Sequence, residues 1–179
     1  MIAGLVLAAG AGTRMGQPKA LVEDESGPWL PRAVAALAAG GCDEVTVVLG
    51  AAPQAAELVP GTAVVIAADW ADGMGASLRA GLSALGPAPD AVVVTLVDLP
   101  DVGAPVIARL LDRPIGATTL ARASYDASPG HPVLIGRDHL AGVIAAATGD
   151  KGARDYLAAH PHTLVECGDL ATGRDVDSR

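Results

Sequence analysis

The chain contains no phenylalanine, and only 2% of its residues are aromatic. Apolar residues still make up 51% of it, so its core has to be assembled from alanine, valine, leucine and isoleucine. Cysteine is scarce too. Cys42 and Cys167 lie far apart without C-x-x-C spacing, which suggests neither a metal cluster nor a dithiol redox centre. Two isolated thiols and no signal segment fit a reducing cytoplasm. Positive charge is short, with 12 Lys and Arg against 20 Asp and Glu; the formal net charge of −8 argues against a general nucleic-acid surface. Apolar runs are interrupted by Gly, Pro or charge and are too short to span a bilayer. No convincing Ser-His-Asp or Cys-His set is present. Nor is there a repeat, a low-complexity tract or an interdomain linker within the 179 residues, a length that suits one domain with a sizeable core.

What the sequence does have is a glycine-rich stretch close to its start. Residues 2–7 form the apolar run of a buried strand. Gly10, Gly12 and Gly16 follow, with Arg14 and Lys19 among and just after them. Glycine admits a positive φ and lets a ligand approach the main chain, and successive N–H groups in such a turn form an anion-binding concavity. Two added cations make this a place for a polyphosphate. A Walker loop is excluded, because Gly10 to Gly16 is one residue too long and Gln17 follows in place of lysine. A dinucleotide fold is disfavoured as well, since Pro18 sits where its helix should run and residues 47–50 end without a carboxylate. There remain a nucleoside-triphosphate site, with Arg14 and Lys19 offsetting phosphate charge, and an ordinary strand-to-loop turn with two solvated cations.

Further along, strands and helices alternate with short connections, which predicts parallel strands joined by right-handed crossovers. Helices are expected over residues 33–39, with Pro31 in the first turn and Gly40-Gly41 as the stop, and over 51–59. Strands are expected over 44–49 and 63–67. Leu78, Leu82 and Leu85 form the core-facing stripe of another helix. Gly73 allows a turn before that helix, and Ser77 lies near its N-terminus, as a cap or an anion contact. Residues 90–97 are the most apolar strand and therefore central. Asp98 ends it, where open α/β sheets bind ligands, and suits Mg²⁺; the alternative is a turn residue before Pro100. Asp101 reads as the N-cap of a helix over 104–111. Strands over 117–123 and 132–135 flank a loop containing His131. Asp150 is expected to cap a helix over 151–159, and 163–166 reads as a final strand. Asp175 and Asp177 fall in a charged tail.

The pattern L-A-A-G-x-G-T-R-M-G-x-P-K-A-L, from Leu7 to Leu21, resembles the signature of the MobA-like superfamily of sugar-phosphate and molybdenum-cofactor nucleotidyltransferases. The likeness covers most of the chain and is nearest to molybdenum cofactor cytidylyltransferases. It implies a single three-layer α/β/α Rossmann-like domain over residues 1–179, with a mostly parallel sheet of the nucleotide-diphospho-sugar transferase type. It also implies nucleotide contacts from Leu7, Ala8, Ala9, Gly10, Gly12, Thr13, Arg14 and Lys19. The segment A-D-G-M-G-A-S-L-R-A-G-L, containing Gly73 and Ser77, is similar to one that lines the family's nucleotide pocket. Asp98 matches the metal-binding D-x-P position. Gly130-His131-Pro resembles the G-x-P segment that faces the acceptor, and Gly149 to Arg154 resembles the family's G-D-x-G-A-R.

The resemblance makes Arg14, Lys19 and Asp98 the catalytic set, with Asp98 and one of the tail aspartates, Asp177, as Mg²⁺ ligands. The implied reaction is attack of the molybdenum cofactor's terminal phosphate on the α-phosphate of CTP. The acceptor phosphate is already ionised near neutral pH, so no strong general base is needed. The guanylyl branch usually reads L-A-G-G in the first loop, and this chain has Leu7-Ala8-Ala9-Gly10, which favours cytosine. GTP, another phosphorylated acceptor, or a non-catalytic cofactor carrier are the alternatives. A monomer is expected, in the cytoplasm, with a molybdoenzyme of the xanthine dehydrogenase type as recipient and neither nucleic acid nor membrane as partner. Two departures from the family stand out: an acidic stretch over 22–28, and a tail that keeps Asp175 and Asp177 but lacks the usual T-P after them.

Overall fold

The computed structural model describes residues 1–86 and 89–178. Strand β1 (Ile2–Ala8) is followed by the glycine-rich loop, a 3₁₀ turn at Lys19–Leu21, and a two-strand ribbon of β2 (Glu23–Asp24) and β3 (Gly27–Pro28). Then come α1 (Trp29–Gly40), β4 (Glu44–Leu49), β5 (Ala63–Ile66), α2 (Met74–Ala84), β6 (Ala91–Leu96) and α3 (Ala104–Leu111). The remainder is β7 (Leu120–Tyr125), β8 (Ser128–Gly136), α4 (Arg137–Ala146), α5 (Arg154–Ala159) and β9 (Thr163–Glu166). The main sheet has 7 strands in the order β5-β4-β1-β6-β8-β7-β9. Only β8 runs antiparallel to its neighbours, β6 and β7; the other pairings are parallel. β6 lies in the middle of that order, as its apolar run predicts.

Alternation along each strand explains how a chain without phenylalanine fills two cores. In β1, Val6 and Ala8 belong to the cluster that includes Leu30 and Leu37 of α1 and Ile107 and Leu110 of α3. Leu5 and Leu7 belong to the opposite cluster, with Leu78 and Leu82 of α2, Val143 of α4 and Leu157 of α5. A strand buried on both faces has to be apolar at every position. The result is a three-layer α/β/α architecture. Small residues compensate for the missing rings by letting helices sit close to the sheet. A Cβ at Gly81 of α2 would come within 2.7 Å of Val48 and 2.8 Å of Leu5. Among the described residues, no helix is long and apolar enough to cross a membrane.

Several local expectations are corrected. Residues 51–59 do not form an α-helix; Pro53–Leu58 is 3₁₀, because Pro53 and Pro60 bracket too short a segment to support a nucleated α-helix. Asp101 does not cap α3, whose N-cap is Gly103. Asp150 does not cap a helix over 151–159: Gly152, at φ 55, breaks it, and α5 starts at Arg154 with Ala153 as its N-cap. The loop around His131 is instead a hairpin, in which β7 and β8 are joined by Asp126 and Ala127, both at positive φ (51° and 65°). This is the two-residue turn that matches strand twist, built without its usual Asn-Gly. Glu166 makes it possible by accepting the N–H groups of Asp126 (2.9 Å), Ala127 (3.0 Å) and Gly168 (2.8 Å), and the Ser124 hydroxyl (2.9 Å).

Candidate active site

A cleft of about 400 Å³ opens at the carboxyl ends of β1 and β6, the edge where open α/β sheets bind ligands. It is lined by Leu7, Ala8, Ala9, Gly10, Gly12, Thr13, Arg14, Lys19, Gly73, Ser77, Asp98 and Asp177, so sequence candidates from four separate stretches meet in one place. His131 is not among the lining residues. It is half-buried on β8, where its carbonyl accepts the Tyr125 hydroxyl at 2.6 Å.

The glycine-rich loop begins where β1 ends. Met15 N–H donates to Gly12 carbonyl at 2.9 Å, closing a tight turn. Gly12, at φ +60, admits no side chain, since a Cβ would sit 2.0 Å from the Gln17 carbonyl oxygen. Arg14 projects from this turn with its side chain 77% exposed, 3.5 Å from Asp177. On the facing wall, α2 begins at Met74 and Ser77 is buried in its first turn. A Cβ on Gly75 would lie 2.7 Å from the Thr148 backbone nitrogen, so glycine there lets the 148–152 turn dock on the start of α2. That docking brings Asp150 to the cleft wall.

Lys19, Asp98 and Asp177 line the rest of the cleft, with Asp175 beside the two carboxylates. Val97 N–H donates to the Leu7 carbonyl at 3.1 Å, carrying the β1–β6 register one residue further and placing buried Asp98 beside the loop. The Lys19 ammonium bonds Asp98, and it bonds Asp177 at 2.5 Å. Burial alone would lower the Lys19 pKa; the hydrogen bonds to Asp177 and Asp98 outweigh it, and the net shift is upward. Asp177 is held below the ordinary carboxylate range, first by its hydrogen bond to Lys19 and then by the same ammonium's charge. Lys19 therefore stays a cation across the physiological range.

Asp98, Asp175 and Asp177 each offer a carboxylate oxygen within 4.8 Å of the other two. An all-oxygen donor set, part buried and part exposed, fits a hard cation such as Mg²⁺ or Mn²⁺ that shares its remaining positions with substrate phosphates. The tail that carries two of the three is not frayed. Val176 N–H donates to the Asp98 carbonyl at 3.0 Å. The cysteines take no part, as both are buried and burial pushes the Cys42 thiol up to about 12.

Trp70, Met74, Leu96 and Asp150 also line the cleft, although none was singled out as a site residue in the sequence. Trp70 had a signal: it is one of two tryptophans in a chain without phenylalanine, placed just before the Gly73–Ser77 turn. Asp150 had one as well, since it lies in the Gly149 to Arg154 segment that resembles the family's G-D-x-G-A-R, and it reaches the cleft through the contact of the 148–152 turn with α2.

A model of the MobA-like NTP transferase domain matches residues 4–164. The chain belongs to that family. It is 38% identical over 191 residues to nicotine blue oxidoreductase of Paenarthrobacter nicotinovorans, an alignment covering 99% of this chain and 92% of the relative. Among solved structures it resembles Rv0371c of Mycobacterium tuberculosis H37Rv, with a TM-score of 0.81 and 29% identity over 99% of this chain and 93% of the other. Rv0371c has also been solved in complex with manganese; that structure gives a TM-score of 0.75 and 27% identity over 98% and 93% of the two chains. A nucleotidyl transferase from Methanothermobacter thermautotroptrophicus shares the fold, at a TM-score of 0.80 and 23% identity over 99% and 92%.

Proposed function

We propose that this MobA-like protein transfers a cytidylyl group from CTP to the terminal phosphate of the molybdenum cofactor. The observation that carries the reading is the convergence of the glycine-rich loop, Lys19 and three carboxylates on one cleft. An acceptor phosphate oxygen attacks the α-phosphorus of CTP, the bond from that phosphorus to its bridging oxygen breaks, and pyrophosphate leaves. The loop N–H groups and Arg14 hold the β- and γ-phosphates. Lys19 stabilises charge that builds on the departing pyrophosphate. Ser77 and the start of α2 orient the nucleotide from the other wall. Asp98, with Asp175 and Asp177, would hold Mg²⁺ or Mn²⁺, and a cation there offsets phosphate charge during in-line transfer. Catalysis is positioning and electrostatics, with an acceptor that arrives already ionised. The product would pass to a molybdoenzyme of the xanthine dehydrogenase type, and the protein would act in the cytoplasm as a monomer.

The test is pyrophosphate release on mixing the protein with Mg²⁺, molybdenum cofactor and each NTP separately. Release with CTP alone supports the cytidylyl reading, and release with GTP moves the protein to the guanylyl branch. Binding of the cofactor without release under any NTP favours a carrier.

A second reading rests on the 38% identity to a relative named as an oxidoreductase. A nucleotide-derived hydride donor carries the same pyrophosphate that the glycine-rich loop suits, and it would reduce a bound dye-like acceptor without forming pyrophosphate. Loss of nicotinamide absorbance with nicotine blue as acceptor, in the absence of pyrophosphate release, would replace the first reading with this one.

A further inference from the structure

The C-terminal segment, residues 172–177, has no helix or strand of its own, yet it delivers two of the three carboxylates at the cleft. Three ties hold it. Thr172 donates both its backbone N–H and its hydroxyl to Asp101 Oδ2, each at 2.6 Å. Gly173, at φ +61, lies against the Tyr125 ring so closely that a Cβ would come within 2.0 Å of it. Val176 N–H bonds the Asp98 carbonyl at 3.0 Å. Asp101 and Asp98 lie three residues apart in one short stretch, in which Val102 N–H returns to the Leu99 carbonyl at 3.1 Å. The latch and the buried carboxylate are thus parts of the same turn. Since Asp101 does not cap α3, its carboxylate is available for this second task.

We propose that Asp101 is a positioning residue: by latching Thr172 it presents Asp175 and Asp177 to Asp98, so the cation site is complete only when the strap is fastened. The inference rests on the metal reading given under the proposed function. A segment without its own backbone ladder has little to hold it once an end is freed. Its two carboxylates would then repel each other and Asp98, with Lys19, Arg14 and the Val176 contacts left to restrain them. Conversely, a bound cation should tighten the strap, because whatever binds the fastened form also stabilises it.

The experiment uses the full chain and Mn²⁺ alone, titrated by electron paramagnetic resonance, with amide exchange of residues 172–177 measured in parallel. Asp101→Ala is expected to weaken Mn²⁺ binding about tenfold, the scale of lost hydrogen bonds to a charged group, and to accelerate exchange of the Val176 amide. Thr172→Val, which keeps the N–H bond and loses the hydroxyl, should fall between that variant and wild type. Thr172→Ser should restore wild-type affinity. If Asp101→Ala binds Mn²⁺ as tightly as wild type, or leaves the Val176 amide equally protected, the latch is overturned. Wild-type protein that binds no Mn²⁺ would sink the metal reading instead, and the exchange data would then decide the latch alone. Equal melting temperatures across the set separate unlatching from misfolding.

Discussion

On the glycine-loop side of the cleft, the parts that meet are near neighbours in sequence; on the opposite side they are strangers. The loop from Gly10 to Lys19 is one continuous turn leaving β1, and Gly73 to Ser77 is one helix start. Across from them, Asp101 meets Thr172 from 71 residues away, and Lys19 meets Asp177 from 158 away. The first wall needs only glycine and a helix end. The second depends on single hydrogen bonds between segments that have no ladder in common. A backbone-built wall fails where a Cβ is added at its glycines, as at Gly12 and Gly75, whereas a side-chain-built wall fails where a single polar partner is lost.

The largest expected effect comes from the group that joins both walls. Asp98 bonds Lys19 through its carboxylate and Val176 through its carbonyl. Asp98→Asn should reduce pyrophosphate release by about 10²–10³ in kcat, by analogy with loss of one charge-stabilising group. The backbone bond to Val176 survives this change, so the fold should be intact by circular dichroism. An equal loss of activity with an unfolded spectrum would assign Asp98 to structure instead.

Next in size is a disturbance where the helix start meets the 148–152 turn. Gly75→Ala inserts a methyl 2.7 Å from the Thr148 backbone nitrogen, a contact with main chain that cannot rotate away. Overpacking of this kind costs about 1–3 kcal/mol. At about 2–4 °C per kcal/mol for a chain of this size, a thermal melt should show it. The same variant should bind nucleotide more weakly, because Gly73, Ser77 and Asp150 move with that contact. A melt unchanged from wild type would mean that the turn is free to shift.

Smaller, and pH-dependent, is the effect of Glu166. Its carboxyl is held down to about 2 by the N–H groups of Ala127 and Gly168, the Ser124 hydroxyl and the Asp126 N–H. A folded pKa below the ordinary 4.5 means stability that is present above about 4.5 and is lost as pH falls toward 2. Glu166→Gln should therefore melt lower than wild type at pH 7, and the gap should close as the pH drops through that window. A gap independent of pH would show that charge is not what holds the hairpin turn.

This division also explains what could be read in advance. The order of strands and helices and the central place of β6 follow from local pattern, in apolar alternation and glycine spacing. The convergence of loop, helix start and Asp98 follows from the family resemblance, because local pattern leaves each of them open between a site and an ordinary turn or cap. The hairpin turn could not be read, because Asp126-Ala127 is not a turn signature and its compensation lies in Glu166, 39 residues from Ala127. The same holds for Asp101, whose position two residues before the true cap suggested a local role while its partner is Thr172. Asp150 was misread as a cap because Gly152 ends the helix that it would have started. The hairpin and Asp101 are missed because the polar partner of each is remote, whereas the 51–59 segment and Asp150 are missed because local breakers, Pro53 with Pro60 and Gly152, outweigh the helical pattern around them. Local spacing cannot name a remote partner, however regular the flanking elements are.

The last and smallest effect concerns His131, which lies outside the cleft lining. Burial, and then the positive charges of Arg122 and Arg154, push its ring down to about 4 from the ordinary 6.5. At neutral pH it is therefore uncharged, and as an acceptor contact it would offer a hydrogen bond, with positive charge supplied by the two arginines. Arg122 is fixed there by donating its Nε–H to the Gly130 carbonyl at 3.0 Å. Because the folded pKa is the lower one, the unfolded chain binds the proton first. Stability from this residue is full above about 6.5 and declines as pH falls toward 4. Imidazole resonances followed by NMR should show one ring that titrates near 4, and His131→Gln should remove it. His131→Gln should also flatten the stability profile between those two pH values while leaving kcat for CTP little changed. A ring that titrates near 6.5 would mean that this edge of the hairpin is open to water, and a large loss in kcat would bring His131 into the cleft.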